Sequence, residues 1–222
     1  MSAYSERSNA NTDAQAAKRA FWRERRARHP RLWEALVADA RVAALNRDER
    51  ADFSSRSDAA LQIVRLAWTS DGFLAQALYR LKARLQALGV PVLPRLAHRM
   101  AIAVGQVAIG DPVVVAAGVY IAHGQTVIDG ITEIGAGCII APFTTIGLRA
   151  GHWVGPTLEP GVEVGTGARL LGEFRVGAGA RIGANAVVIR DVPPGVTVVG
   201  VPARPLPATV PSSGPAVPPA VG

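Results

Sequence analysis

Two histidines, His123 and His152, lie in the glycine-rich second half of the chain, and their side chains are candidates for acid–base chemistry. An imidazole has an ordinary pKa near 6.5, so it can take up and release a proton near neutral pH, as a general base must. A histidine at an exposed turn can equally have no chemical role. Two histidines are too few for a three-histidine metal centre, and the single Cys138 excludes an intrachain disulfide or a cysteine-built zinc site. We therefore predict no metal.

The segment that carries these histidines repeats every six residues. Of the 23 glycines, 19 lie between Gly105 and Gly200, and one aliphatic residue recurs in each hexapeptide. The register slips by one residue after Val127. Such repeats are typical of a parallel β-helix, in which each unit forms a short strand and a corner around a column of inward side chains. The predicted inward positions are Ile109, Val115, Ile121, Val127, Ile128, Ile134, Ile140, Ile146, Leu158, Val164, Leu170, Val176, Ile182 and Val188.

A β-sandwich would instead show apolar and polar residues in strict alternation, with longer loops. The fold class predicted here is α+β, in which an N-terminal helical domain is followed by a left-handed parallel β-helix over residues 105–204. The segment 147–157 lacks the aliphatic spacing and is expected to project as a loop. Residues 205–222 are rich in proline and alanine, which predicts a disordered tail.

Residues 17–104 have the three- and four-residue apolar spacing of amphipathic helices, and we expect four of them. Residues 1–16 are small and polar and are expected to be disordered. The net charge of +7 lies in this first half, where solvated helix surfaces explain it without a nucleic-acid partner. No apolar run is long enough to span a membrane and no secretory signal is recognisable, so a cytoplasmic protein is expected.

Two stretches of this sequence resemble a known family. The run LEPGVEVGTGARLLGEFRVGAGARIGANAVVIRDVPPGVTVVGVPARP resembles the C-terminal coils of serine acetyltransferases, which are hexapeptide acyltransferases. The run GFLAQALYRLKARLQALGVPVLPRL resembles the last helices of their N-terminal domain. The GVPAR ending is shared with sugar and antibiotic acetyltransferases. The resemblance, over residues 70–204, implies acetyl transfer from acetyl-CoA, as co-substrate, to the hydroxyl of serine, a step in cysteine biosynthesis.

The same resemblance implies roles for individual residues. His123 stands where the family has the histidine that deprotonates the acceptor hydroxyl. Members usually have an aspartate directly before it, which binds the amino group of serine, but this chain has Ala122 there. A second aspartate usually orients the imidazole, and the matching position is Ala108. Asp111 lies three residues further on and is the candidate replacement.

Three more residues are candidates for contact with the acceptor. A further family histidine aligns with Gly155, and His152 is the candidate for that role from a loop of different length. Asp129 and Glu133 follow the slip in register and are candidates for a replacement carboxylate near the acceptor. Their alternative interpretation is an exposed charge at a turn.

Acetyl-CoA is expected to lie along the later coils. Small residues there permit close approach of the pantetheine arm, and two arginines near the end of the β-helix are candidates for the CoA phosphates. The arginines can equally be solvated surface residues. These candidates are Ala178, Gly183, Ala184, Arg190 and Arg204.

The resemblance also implies a homotrimer with active sites between subunits, or a dimer of such trimers. Two other functions stay open at this point. One is an acetyltransferase for a different small hydroxyl or amine acceptor, such as a sugar or a modified amino acid. The other is a catalytically impaired scaffold that keeps the β-helix, which the two alanines at positions 108 and 122 favour.

Overall fold

Among the residues that the structure describes, five α-helices precede a parallel β-helix. The computed structural model describes the backbone of residues 2–207 and the side chains from residue 13 onward. The helices are α1 Ser2–Ala27, α2 Leu32–Leu45, α3 Arg56–Thr69, α4 Asp71–Ala87 and α5 Leu93–Gly105. None of these described helices has both the length and the apolar character that a membrane span requires.

The helical domain has one helix more than the spacing predicted. The additional helix, α5, begins at Leu93 with Pro94 in its first turn, where a missing backbone N–H costs nothing. Helix α3 begins after Ser55, whose hydroxyl accepts a hydrogen bond from the Asp58 N–H at 3.1 Å. Helix α1 includes residues 2–16, which the composition predicted to be disordered.

Fifteen short strands form the three faces of the β-helix. The first sheet contains β1, β4, β7, β10 and β13, the second β2, β5, β8 and β11, and the third β3, β6, β9, β12, β14 and β15. All neighbours pair in parallel except β15, which runs antiparallel to β14. The bounds are β1 Val107–Ile109, β2 Val114–Val115, β3 Tyr120–Ile121, β4 Thr126–Ile128, β5 Ile131–Ile134, β6 Ile139–Ile140, β7 Thr145–Gly147, β8 Val154–Leu158, β9 Glu163–Val164, β10 Arg169–Leu171, β11 Arg175–Val176, β12 Arg181–Ile182, β13 Val187–Val188, β14 Thr197–Val199 and β15 Arg204–Pro205.

The predicted helical domain and parallel β-helix are thus confirmed, and the aliphatic column is confirmed at every position but one. Val127 was predicted to point inward, but it is 44% exposed while the next residue, Ile128, is fully buried. The extra residue therefore lies upstream of Val127, between Ile121 and Val127, and Ile128 takes the inward position. The loop is also shorter than predicted, since β7 reaches Gly147 and β8 begins at Val154. Within the predicted loop, only residues 148–153 lie outside the strands. The predicted tail beyond Pro207 lies outside the described residues.

Side chains of α4 cover the open end of the β-helix. The first coil has no preceding coil to donate hydrogen bonds to its backbone carbonyls, and buried carbonyls without donors are destabilising. Four residues of one face of α4 supply those donors. The bonds run from Gln76 to the carbonyl of Val119 at 2.9 Å, from the Tyr79 hydroxyl to Val113 at 2.9 Å, from Arg80 to Val115 and Ala116, and from Lys82 to Ile109 at 2.6 Å.

A buried ion pair connects this cover to the rest of the helical domain. The Arg80 guanidinium donates to Asp39 of α2 at 2.9 and 3.2 Å, and both side chains are almost fully buried. Asp39 also accepts a hydrogen bond from the backbone N–H of Gly118 at 2.8 Å. Arg80 therefore satisfies backbone carbonyls of the first coil, and Asp39 satisfies a backbone N–H of the same coil.

Replacing Arg80 by Met is expected to destabilise the chain by about 3–5 kcal/mol, because it leaves the Asp39 carboxylate buried without its cation. Urea unfolding followed by circular dichroism measures the change. Arg65→Met is the matched control. Arg65 pairs with Glu49 at the surface, and surface pairs contribute about 0–1 kcal/mol. Equal effects of the two substitutions would contradict the importance of the buried pair.

Candidate active site

His123 lies at a corner between the third and the first sheet, where the chain carries one extra residue. Ile121 pairs with Ile140 and Ile128 pairs with Ile146, so seven steps in this coil stand beside six in the next. The additional residue lies between these paired positions, within the segment 122–127. His123 and Gln125 both have positive φ, at 57° and 62°, and both side chains are exposed. The slip in the hexapeptide register is thus the local deformation that presents the imidazole.

The extra residue also changes the hydrogen bonding of Thr126. In the next coil, the equivalent Thr144 hydroxyl donates to the carbonyl of Ala141 at 2.6 Å. In the His123 coil the buried Thr126 hydroxyl has no hydrogen-bond partner among the described residues. Buried polar groups are rarely left without partners, so the extra residue costs this coil a hydrogen bond that the next coil keeps.

Two glycines, Gly72 and Gly124, let the His123 corner pack directly against the helical domain. A Cβ on Gly72, at the start of α4, would lie 2.3 Å from the Ile121 carbonyl oxygen and 2.5 Å from that of His123. A Cβ on Gly124 would lie 2.3 Å from the carbonyl oxygen of Gly105, at the end of α5. A side chain at either position would push the corner away, so the backbone of His123 rests directly on the ends of two helices.

We call the column of corners between the third and the first sheet the His123 edge. The column between the first and the second sheet, which carries Asp111, Asp129 and the loop 148–153, is the His152 edge. The two edges bound the same face of the β-helix on opposite sides. Residues on one edge therefore do not contact residues on the other within one chain.

Asp111 belongs to the His152 edge and is engaged by α4. Its carboxylate lies 3.0 Å from the Lys82 ammonium. Burial acts to raise the pKa of Asp111, but the Lys82 ammonium outweighs it and the pKa is lowered. Burial also lowers the pKa of Lys82. A full face separates Asp111 from His123, so its carboxylate does not reach this imidazole within one chain, and its orienting role stays a prediction.

Glu133 is also placed away from His123. It lies on the second sheet, where Arg25 of α1 donates to its carboxylate at 2.8 Å and Arg28 at 2.6 Å. Burial opposes the shift, but these two guanidinium groups lower the pKa of Glu133. The Glu133 carboxylate thus forms an ion pair between the helical domain and the β-helix, and its role in acceptor binding stays a prediction.

Asp129 lies at the edge of an open cavity of about 320 Å³ on the first sheet. One carboxylate oxygen accepts a hydrogen bond from the N–H of Gly130 at 2.7 Å. His98 of α5 lines the same cavity, and burial lowers its pKa. Ala108, the position where relatives are expected to carry a carboxylate, lines it too. The cavity thus has acidic and basic side chains but lies across the face from His123.

His152 is exposed in the loop 148–153, next to Trp153, which is 80% exposed. The loop packs against the corner of the preceding coil at Gly130. A Cβ on Gly130 would lie 2.2 Å from the Leu148 side chain. His152 therefore lies a full face away from His123 within one chain.

The candidate CoA residues are divided among different corners. Gly183 and Ala184 lie on the His123 edge, three coils beyond the imidazole. Ala178 lies at the corner between the second and third sheets, where its N–H donates to Glu159 at 3.0 Å. Arg190 lies on the His152 edge after β13, and Arg204 lies in β15 at the end of the third sheet.

Other candidate chemistry finds no support among the described residues. Burial raises the pKa of the Cys138 thiol to about 11, so it is protonated and a poor nucleophile at neutral pH. The described part of the chain holds no group of three or more metal-ligating His, Cys, Asp and Glu side chains. The sequence pattern does not single out Gly72, Lys82 or Phe143. Of these three, only Gly72 has a recognisable signal, as a glycine at the start of an amphipathic helix.

No protein-family model matches the chain. A curated serine acetyltransferase from Synechococcus elongatus is 36% identical over 177 residues, which cover 78% of this chain and 68% of that protein. The serine acetyltransferase of a Synechocystis strain is 38% identical over 177 residues, covering 78% and 67%. The chain belongs to the serine acetyltransferase family.

Solved structures agree with this membership. Soybean serine acetyltransferase complexed with serine matches with a TM-score of 0.64 and 30% identity, covering 78% of this chain and 68% of that one. Serine acetyltransferase from Vibrio cholerae matches with a TM-score of 0.66 and 29% identity, covering 82% and 68%. In this serine acetyltransferase family member, the corner at His123 is the candidate active site.

Gly72→Ala is expected to lower both stability and activity, because the new methyl group would overlap two backbone carbonyls of the His123 corner. Overpacking of this kind costs about 1–3 kcal/mol. Thermal unfolding and acetyl-CoA turnover measure the two effects. Gly89→Asn is the control, because the space around Gly89 is open and asparagine tolerates its φ of 71°. A Gly72→Ala variant with unchanged turnover would show that this contact does not position the imidazole.

Proposed function

We propose that this chain transfers the acetyl group of acetyl-CoA to the hydroxyl of L-serine, with His123 as the general base. The observation that carries the proposal is the His123 corner itself. An exposed imidazole lies there, on a corner that contains one extra residue and packs against the helical domain. The chain that carries it belongs to the serine acetyltransferase family.

The chemistry that His123 supports is direct transfer. His123 accepts the proton of the acceptor hydroxyl as the oxygen attacks the thioester carbonyl carbon. When the tetrahedral intermediate collapses, the C–S bond breaks and the imidazolium returns its proton to the sulfur of CoA. The acetyl group leaves as an ester of the acceptor, and no acyl-enzyme is required.

The His123 edge offers a path for the donor. Beyond His123 its corners carry Thr166 and Gly167, then Ala184 and Asn185, and most of this strip is open to solvent. Coils stack about 4.8 Å apart, so three steps extend about 14 Å from the imidazole. Ala184 supports close approach of a narrow pantetheine arm. The need for glycine at position 183 has a structural reason, since a Cβ there would lie 2.6 Å from Val199.

A homotrimer is proposed because the candidate residues occupy two edges of one face. A second copy that places its His152 edge against the His123 edge of the first would bring His152 and Asp129 to the imidazole. Closed three-fold assembly repeats this contact at each interface. The two candidate arginines for the CoA phosphates also lie apart, Arg190 on the His152 edge and Arg204 in the third sheet, which fits a site shared between copies.

His123→Ala is expected to lower the turnover of acetyl-CoA with L-serine by about 10²–10⁴-fold, because it removes the base without removing the binding surfaces. Release of the CoA thiol measures the rate. A rate unchanged in this variant would exclude His123 as the base.

Mixing tests the shared site with the same assay. When a His123→Ala chain and a His152→Ala chain are unfolded and refolded together, some interfaces receive His123 from one copy and His152 from the other. Those interfaces contain a complete site. Random assembly of equal amounts is expected to recover roughly a quarter of the wild-type sites. Recovery no greater than that of the two separate variants would contradict a site shared between copies.

A different hydroxyl acceptor is the second candidate function. Position 122, directly before the base, carries alanine, and the described carboxylates at 111, 129 and 133 lie away from the His123 edge within the chain. An ammonium group at the acceptor would therefore lack a charge partner there unless a second copy provides one. This observation favours a neutral hydroxyl compound, such as a sugar.

Ala122→Asp distinguishes the two acceptors. A charge-assisted hydrogen bond contributes about 1.5–3 kcal/mol, so the variant is expected to lower KM for L-serine by roughly 10–100-fold if serine is the acceptor. The KM for a neutral hydroxyl acceptor is expected to stay the same. Turnover with neutral acceptors alone, in wild type and variant, would assign the second function.

A further inference from the structure

Phe143 lies on the His123 edge, one coil beyond the imidazole. Val127 pairs with Thr145, and this register places Phe143 beside Gln125, within the deformed corner that carries His123. Neighbouring coils are about 4.8 Å apart, so the benzyl side chain leaves the backbone one coil away from that corner. Its ring is 52% exposed.

The backbone at Phe143 has a φ of 62°, in the left-handed region. A bulky residue is an outlier there, whereas the next coil has Gly167 at the same position and the one after it has Asn185, the residues that tolerate this conformation best. Burial does not compensate, because half of the side chain faces solvent. The corner is held by the Arg169 guanidinium, which donates to the Phe143 carbonyl.

Backbone strain alone does not assign a role to Phe143. Val92, directly before α5, also has a positive φ, of 67°, and is also exposed. What distinguishes Phe143 is the access to His123. Gly72 meets the backbone of His123 and the Gly105 carbonyl meets Gly124, so the helical domain occupies one side of this corner. A long, narrow substrate that follows the His123 edge from the later coils reaches the imidazole by way of the corner that carries Phe143.

We propose that Phe143 is a donor-specificity residue whose ring packs against the acyl-thioester end of the acyl-CoA substrate and fixes it beside His123. This rests on the proposed acetyl transfer. The ring supplies an apolar surface at the point where the sulfur and the acyl methyl group must lie. The chain keeps an aromatic residue in an unfavourable backbone conformation because that position faces the donor.

The test compares Phe143→Gly with the wild-type full chain. Glycine relieves the backbone strain, so the unfolding midpoint is expected to stay the same or rise. Loss of the ring is expected to weaken acetyl-CoA binding about ten-fold by calorimetry and to raise its KM similarly. The KM of the acceptor is expected to change less than about two-fold, and Phe143→Tyr is expected to restore donor binding.

Val92→Gly is the matched control, since it also replaces an exposed apolar residue at positive φ, and it should leave donor binding unchanged. Donor binding by Phe143→Gly equal to that of the wild type would overturn the proposal, and so would an equal loss in Val92→Gly. If Phe143→Gly proves unstable, Phe143→Leu provides the same binding comparison. A wild type that binds acetyl-CoA but does not acetylate serine would refute only the acceptor, whereas a wild type that binds no acetyl-CoA would refute both.

Discussion

The structure depends on how the first coil of the β-helix satisfies its backbone carbonyls. Every later coil receives its hydrogen bonds from the coil before it, but the first has none before it, and an open end of this kind invites pairing with other chains. Here α4 lies across that end and its polar side chains donate in place of strands. Arg80 carries the largest share and needs Asp39 beside it, since a lone buried cation would be costly.

The same cover sets the position of the candidate base. Helix α4, which covers the first coil, begins at Asp71. Gly72, in its first turn, lies against the carbonyls of Ile121 and His123. Its hydrogen bonds fix the helix relative to the β-helix, and the lack of a side chain at Gly72 lets it touch the deformed corner. Stability and chemistry are therefore coupled through one helix. Backbone contacts fix the corner that carries the imidazole, and no described side chain of the same edge forms a hydrogen bond with it.

Much of this fold could be predicted because a hexapeptide repeat depends only on local spacing. The inward column follows from this spacing on both sides of the slip, and only Val127 was predicted wrongly, because two aliphatic residues, Val127 and Ile128, are adjacent there. The site was less predictable. The ion pairs that occupy Glu133 and Asp111 join residues 108 and 29 positions apart, and no local pattern reports them. Phe143 was overlooked for a related reason, since periodicity marks inward positions and says nothing of corners.

A β-helix also limits what one chain can bring together. Stacked coils place side chains in straight columns, so residues on the same edge meet and residues on different edges stay a full face apart. The His123 edge here carries the proposed base, the proposed path for the donor and an aromatic ring. The His152 edge supplies a second histidine and the carboxylate of Asp129. Chemistry that needs both sets must use two copies, because bending the prism to join its own edges would break the hydrogen-bonded ladders that define it.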